Sequence, residues 1–536
     1  MSLTTTSCGD GFLEIEYPNI IEESFIFQNE DNVLSGLNGI YDALLTNGDL
    51  GGDGGTWGFK PQILMASYPV LDCLASGWDN EMCRHEWRAD KDMFKNGWQV
   101  AYYAISRANQ FLAGLETADT SIFKNPNDKS IIEAEARALR AYNYLFLVKS
   151  FGGVPMLLTG ETYSSSPSKE RSTIEEAHAL IIEDLSFAAN TLEWTPYRGE
   201  YGRATKGMAK AYIAEVYLYQ EKFAEAKTLY EEIINSGVYA LQPCFGKIYD
   251  LENAWCSEDV WCIGYPAFSN MGWGAMNTAQ VSMWYAYMCD VVDGWGSMFV
   301  SYEFCNSFES GDKRRQYSVV ERGQTHPISG QVVPTDSTKT AEKMPYNGSL
   351  KWWRIKAGSN NIIFEPISLH VLRYAEILLN YAECCFETGD AAKGWDLIAQ
   401  IRNRAWGNLE VGGSDVNGVF EFNTEVVDVP DAQTFYNSYK RDAYTAEPWL
   451  VALSIERRHE FNAEFSIFQS YTRTGIMEQY LNAEYPLGKA PANTPRQFTW
   501  DPNHAIFPIP TQEFLTNKAL DINAKGDPKI GQNPGY

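Results

Sequence analysis

Two stretches of this chain carry the same helix–turn–helix pattern, and that repeat constrains the fold more than any other feature. In one copy Ala209, Ala214, Tyr217 and Leu218 precede the junction Glu221-Lys222-Phe223-Ala224-Glu225-Ala226. In the other, Ala375, Leu379, Ala382 and Phe386 precede Gly389-Asp390-Ala391-Ala392-Lys393-Gly394. Small residues beside the turn let two helices approach closely, and large ones fill the next groove. Helical pairs of this kind bury their faces only against neighbours, so several must stack.

Helices are predicted over 204–220 and 223–235, forming the first copy. The pattern is similar to tetratricopeptide units of about 34 residues. Residues 131–151 with 173–192 read as a degenerate third copy, widened by an insertion. The first of these segments ends at Gly152-Gly153 before Pro155, a helix stop, and Ser172 and Glu175 have capping-box spacing before the second. Further upstream, Trp98, Tyr102, Ile105, Asn109 and Leu112 fall on one helical face.

The spans 46–90 and about 240–365 differ from these helices. They are rich in Gly, Trp, Asn, Asp and Pro and have little helical period, as in Gly77-Trp78-Asp79-Asn80, Gly272-Trp273-Gly274 and Asp293-Gly294-Trp295-Gly296. Loops this long inside a compact protein carry function or are disordered, and the density of Trp argues for function. The chain holds 16 Trp, 31 Tyr and 27 Phe, most of which a large core must absorb.

Composition removes several classes of function. The formal net charge of -26 repels phosphate and argues against nucleic acid. No apolar run reaches the length of a membrane-spanning helix. None of the six His forms His-Glu-X-X-His, and no Gly-X-Ser-X-Gly elbow or phosphate-binding loop occurs. The ten Cys include no pair or Cys/His cluster with zinc-ligand spacing, so no metal or cofactor is expected. Residues 290–294 lack the ligand count of a calcium loop. His459 reads as a surface or interface residue. Cys8, behind Ser7 at the N-terminus, reads locally either as a lipid-bearing cysteine or as an ordinary thiol.

Six segments in order resemble the SusD/RagB family of Bacteroidetes. These are Trp98 to Asn109, Glu135 to Pro155 with its Gly-Val-Pro turn, and Arg203 to Ala209. Then come Arg373 to Glu383 with Ile398 to Ala405, Glu456-Arg457-Arg458 with Glu460, and Phe507 to Pro510 with the Gln-Asn-Pro-Gly-Tyr end. The family helix often continues Glu-Gly-X-Arg-Trp, whereas this chain has Glu464-Phe465-Ser466-Ile467-Phe468. The resemblance implies a mainly α, SusD-like fold: tetratricopeptide-like repeats with an irregular, loop-rich ligand-binding region. Residues 1–12 would be a lipoprotein tether with Cys8 as the lipidated residue. Residues 13–536 would be one domain, with its scaffold at about 92–236 and 366–475, variable loops at about 46–90 and 240–365, and a C-terminal segment at 476–536.

The resemblance also implies a lipid-anchored surface protein that binds an oligosaccharide without chemistry. It would pass the ligand to a TonB-dependent, SusC-like outer-membrane transporter. A surface glycoside hydrolase and a protein-binding tetratricopeptide adaptor are the alternatives. The family fixes no ligand residues, so these are chosen on chemistry. Trp78, Trp273 and Trp295, with Trp57 in reserve, would stack on sugar faces, and Asp79 and Asn80 would satisfy hydroxyls. The acids of the late helices are expected to be structural, with Arg402 and Arg404 holding Glu376 and Glu383.

Overall fold

The computed structural model describes residues 23–45, 47–48, 56–75, 79–165, 168–264, 288–292, 294, 296, 298–335, 347–354, 367–413, 420–485 and 500–536. Mainly helical elements dominate, as the repeat pattern predicts. The principal helices are α1 (Glu30–Leu45), α2 (Lys60–Ser67), α3 (Asn80–Arg84), α4 (Asp92–Thr117), α5 (Asp128–Phe151) and α6 (Ile174–Thr191). They are followed by α7 (Lys206–Tyr219), α8 (Phe223–Asn235), α9 (Tyr374–Glu387), α10 (Ala391–Ala405) and α11 (Pro448–Phe461). No helix among the described residues is long and apolar enough to cross a membrane.

Consecutive helices stack in one run. α4 packs on α5, α5 on α6, α6 on α7 and α7 on α8. The chain then leaves at Asn235 and returns at Tyr374, where α9 packs on α8 and carries α10. Polar contacts fix this junction: Asn380 Nδ2 donates to the Tyr230 hydroxyl at 3.1 Å, and the Tyr381 hydroxyl donates to Glu231 at 2.6 Å. The α5–α6 pair thus joins the same stack as the two clearer copies. On α4, Trp98, Tyr102, Ile105, Asn109 and Leu112 are all buried, as their spacing predicts. The cap of α6 lies one residue later than expected. Thr173, not Ser172, accepts from the Glu176 amide, and the Glu176 side chain returns to the Thr173 amide. The start of α6 is displaced by the same single residue, because a capping box moves with the first helical turn.

Among the described residues, four short antiparallel ladders accompany the helices. They pair β1 (Asn47–Gly48) with β2 (Thr56–Trp57), and β3 (Cys73–Ala75) with β5 (Met298–Val300). The others pair β4 (Asp259–Gly264) with β8 (Ser368–Arg373), and β6 (Val319–Val320) with β7 (Gly348–Ser349).

Helix α11 is the centre of a buried charge network. Glu456 is held by Arg314 and Arg402, and Glu460 by Arg373, Arg404 and Arg314. Glu464, just beyond α11, is held by Arg373 and Lys351. Burial alone would raise these three carboxyls, but the surrounding cations more than reverse it and hold all three below the usual range. The acids are structural, as expected, but the pairs differ from the sequence reading. Arg402 takes Glu309 and Glu456, and Arg404 takes Glu258 and Glu460. Glu383 pairs with Arg473, and Glu376 lies 4.0 Å from Arg457. α10 presents its arginines to α11 rather than back to α9. His459 is likewise buried rather than at the surface: Ser307 Oγ lies 2.8 Å from its Nε2, and its ring stacks on Phe308.

The C-terminal Gln-Asn pair closes the end of α5. Asn533 Nδ2 donates to the carbonyls of Phe151 and Phe507 at 2.9 and 2.7 Å. Its Oδ1 accepts from Arg171 at 2.6 Å, and Arg171 Nε also donates to the Gly153 carbonyl at 2.7 Å. The chain passes so close here that a Cβ at Gly153 would drive into the Ser172 carbonyl oxygen. Only glycine fits that approach.

Candidate ligand-binding region

The β3–β5 ladder governs the site. Ala75 pairs with Met298, so the segment after β3 and the segment before β5 leave from the same end of one ladder. Trp78 lies three residues past Ala75, and Trp295 three residues before Met298. Both tryptophans fall outside the described residues, but their backbone anchors are neighbours. All six residues of the ladder are buried, so its register is set by the core.

Asp79 and Asn80 follow at the start of α3. Asn80 is only 6% exposed, whereas the Asp79 carboxylate reaches partial exposure 4.0 Å from Lys60 Nζ. Burial raises the Asp79 carboxyl and lowers the Lys60 ammonium, and each charge opposes the shift of the other. Lys60 opens α2, three residues after Trp57 in β2. The Lys60–Asp79 pair therefore sets the start of α2, just after β2, beside the start of α3. β2 is placed by its pairing with β1 across residues 49–55, and the Trp57 side chain is outside the described residues. Gly58 turns the chain with φ +48, and Phe59 then plugs into the core against Tyr142, Trp261 and Phe465.

Trp273 is also outside the described residues. Its segment departs after Gly264, which pairs with Ser368 at the end of the β4–β8 ladder where residues 355–366 rejoin. Cys8 likewise falls outside. The described residues thus bring together the anchors of Trp78 and Trp295, relate Trp57 to them only through the Lys60–Asp79 contact, and for Trp273 give only its point of departure.

One aromatic pair escaped the sequence reading. Tyr201 is 67% exposed and Trp255 39% exposed, and their rings stack with centroids 5.8 Å apart and planes 26° from parallel. Trp255 has φ +56, a left-handed backbone that a bulky residue rarely adopts. Its indole donates to the Cys262 carbonyl at 3.2 Å, and it packs over Gly264, at the base of the Trp273 segment. Trp255 lay inside the Gly- and Trp-rich span, but nothing in the sequence linked it to Tyr201.

The described residues thus place a part-exposed carboxylate, Asp79, next in sequence to Trp78, and a separate exposed ring pair, Tyr201–Trp255, at the base of the Trp273 segment. Comparison with known proteins agrees on the framework. A family model described as starch-binding and associating with the outer membrane matches residues 58–218. The SusD family model matches residues 262–536, just over half of the chain. A SusD-like protein of Formosa agariphila is 26% identical over 425 residues, covering 75% of this chain and 79% of that one. Among solved structures, a SusD homolog from Bacteroides thetaiotaomicron superposes with a TM-score of 0.73 at 19% identity, covering 96% of this chain and 99% of that one. Surface glycan-binding protein A from the same organism, solved with laminarihexaose, gives 0.67 at 21% identity, covering 92% and 98%. At these identities the structural likeness establishes the fold.

Proposed function

Because this chain belongs to the SusD/RagB family, we propose that it binds an oligosaccharide at the cell surface and hands it to an outer-membrane transporter without altering it. The observation that supports the binding reading is that the Trp78 and Trp295 segments leave from one end of the β3–β5 ladder, with the part-exposed Asp79 next to Trp78 and 4.0 Å from Lys60, three residues after Trp57. Rings on different segments could then stack along successive sugars while Asp79 accepts from a hydroxyl. The neighbour solved with laminarihexaose supports a glycan as the ligand class. Affinity would be modest, because stacking and hydrogen bonds are offset by desolvation of hydroxyls and ordering of the loops.

Cys8 would carry the lipid anchor, and the transporter would be a TonB-dependent, SusC-like barrel over which this protein sits. Mass-spectrometric detection of thioether-linked diacylglycerol on Cys8, with ester-bound acyl chains released by mild alkali, and co-purification of a barrel from outer membranes test those two parts.

The binding test is a glycan array followed by calorimetry on the best ligand. Trp78→Ala and Trp295→Ala should each weaken binding at least tenfold with the melting temperature nearly unchanged. Unchanged affinity in both variants rejects this placement of the site. Release of reducing ends from the bound glycan rejects the binding-only reading.

A further inference from the structure

Sequence spacing gave no metal site, but the fold assembles a ligand set. Cys262 on β4 stands directly opposite His370 on β8. Asp259 is three residues before Cys262, a spacing that would normally send the two side chains to opposite faces of a strand. The ladder shifts register between Asp259 and Trp261 and again between Trp261 and Cys262. This irregularity turns Trp261 into the core against Phe59 and Tyr142 while Asp259 and Cys262 share the face of His370. Bulges commonly re-aim side chains at functional sites.

The ligand atoms of Asp259, Cys262 and His370 all lie within 4.8 Å of one another. His370 Nδ1 is 2.6 Å from Asp259 Oδ1, and both side chains are almost fully buried. Asp259 Oδ2 accepts the Cys256 amide at 2.9 Å, and the Asp259 amide returns to the Cys256 carbonyl at 3.0 Å. That tight turn also brings the Cys256 thiol to the Asp259 carboxylate. Cys256 is the least buried cysteine among the described residues, which gives the cluster a route to solvent.

We propose that Cys256, Asp259, Cys262 and His370 form a binding site for a soft divalent cation of the zinc class. Two thiolates, an imidazole and a carboxylate are ligands such an ion accepts, and four of them make a tetrahedral set. Ligand atoms around tetrahedral zinc sit about 3.3–3.8 Å apart. Asp259 and His370 need only open their hydrogen bond, Cys262 needs only a small closure, and Cys256, outside the 4.8 Å set, must swing in from its turn. On binding, the two thiols release their protons to solvent, His370 coordinates through a ring nitrogen that carries no proton, and no electron is transferred. Without a cation, burial and the neighbouring Asp259 charge hold both thiols protonated. A divalent ion removes that penalty.

The placement gives the ion a mechanical role. The turn it would clamp carries Trp255, and the ladder it would cross-link holds the start of the segment after Gly264 and the end of the segment before Ser368. The assignment rests on this geometry and is independent of which ligand the protein binds.

Cobalt titration of the reduced full-length chain tests it. One Co²⁺ per chain should bind with a thiolate-to-cobalt charge-transfer band and the visible bands of tetrahedral cobalt, and Zn²⁺ should displace it. Cys262→Ser and His370→Gln should weaken binding about 100-fold, judged on variants with wild-type circular dichroism. Cys256→Ser, on the more exposed turn, should remove part of the charge-transfer intensity, and it carries the test should the buried variants not fold. Absence of the band in the wild-type chain overturns the proposal. So does a band that survives in Cys256→Ser with full intensity, or a Cys256–Cys262 disulfide in the protein as isolated.

Discussion

Arg458 Nε donates to Asp72 Oδ1 at 2.8 Å, tying the charged helix α11 to the ladder that anchors Trp78 and Trp295. Asp72 immediately precedes β3, and its carbonyl accepts the amide of Ser301, the residue after β5. The hydroxyls of Tyr480 and Tyr485 donate to the same carboxylate at 2.8 and 2.5 Å. Helix α11 and the β3–β5 ladder therefore share one buried ion pair.

Asp72→Asn removes the charge opposite Arg458 while leaving Glu484 as its remaining partner. Breaking a buried pair on one side typically costs about 3–5 kcal/mol. Urea denaturation should show a loss of that order, together with weaker glycan binding. A loss below about 1 kcal/mol would show that the pair is not the anchor.

Acid should destabilise the protein through the α11 carboxylates. Glu456, Glu460 and Glu464 are held below their ordinary range in the folded chain, so the unfolded chain takes up protons first as pH falls. Their contribution is complete above an unfolded value of about 4.3 and declines as pH drops toward the folded values. In Glu460→Gln this acid limb of the stability curve should be shallower, as read from melting temperature across pH 2–6 (roughly the range of carboxyl titration). An unchanged slope would refute the assignment.

Gly153→Ala forces a methyl group against the Ser172 carbonyl. Overpacking of this kind costs about 1–3 kcal/mol, and the rigid backbone target places it at the upper end. Calorimetric unfolding measures it, and a neutral result would mean that the turn can open.

Asp79→Ala should reduce glycan affinity about tenfold, the worth of one charge-assisted hydrogen bond. Since burial raises the Asp79 carboxyl, wild-type affinity should begin to fall at a higher pH than an ordinary aspartate would allow. Calorimetric titration at several pH values checks both, and affinity independent of Asp79 would remove it from the site.

The helix pairs were legible because their small and large residues recur with helical period, and α8 begins and ends where the pattern predicts. The C-terminal Gln532-Asn533 was recognisable by family resemblance, but its task of capping the Phe151 carbonyl was not. Charge partners were the least legible feature. A guanidinium reaches whichever carboxylate the fold presents, and Arg404 finds Glu258 and Glu460, 146 and 56 residues away. Tyr201 beside Trp255, and Cys262 beside His370, are likewise products of chain crossing, and the second also needs a bulge that spacing rules do not reveal.

The break in the helical stack has a consequence for how such a protein diversifies. Because α9 packs directly on α8, the inserted chain between them starts and finishes at adjacent points. Lengthening a loop with fixed ends costs only about 0.6 kcal/mol per doubling. The insertion can therefore be rewritten or exchanged as a cassette while the repeats on either side keep their seams.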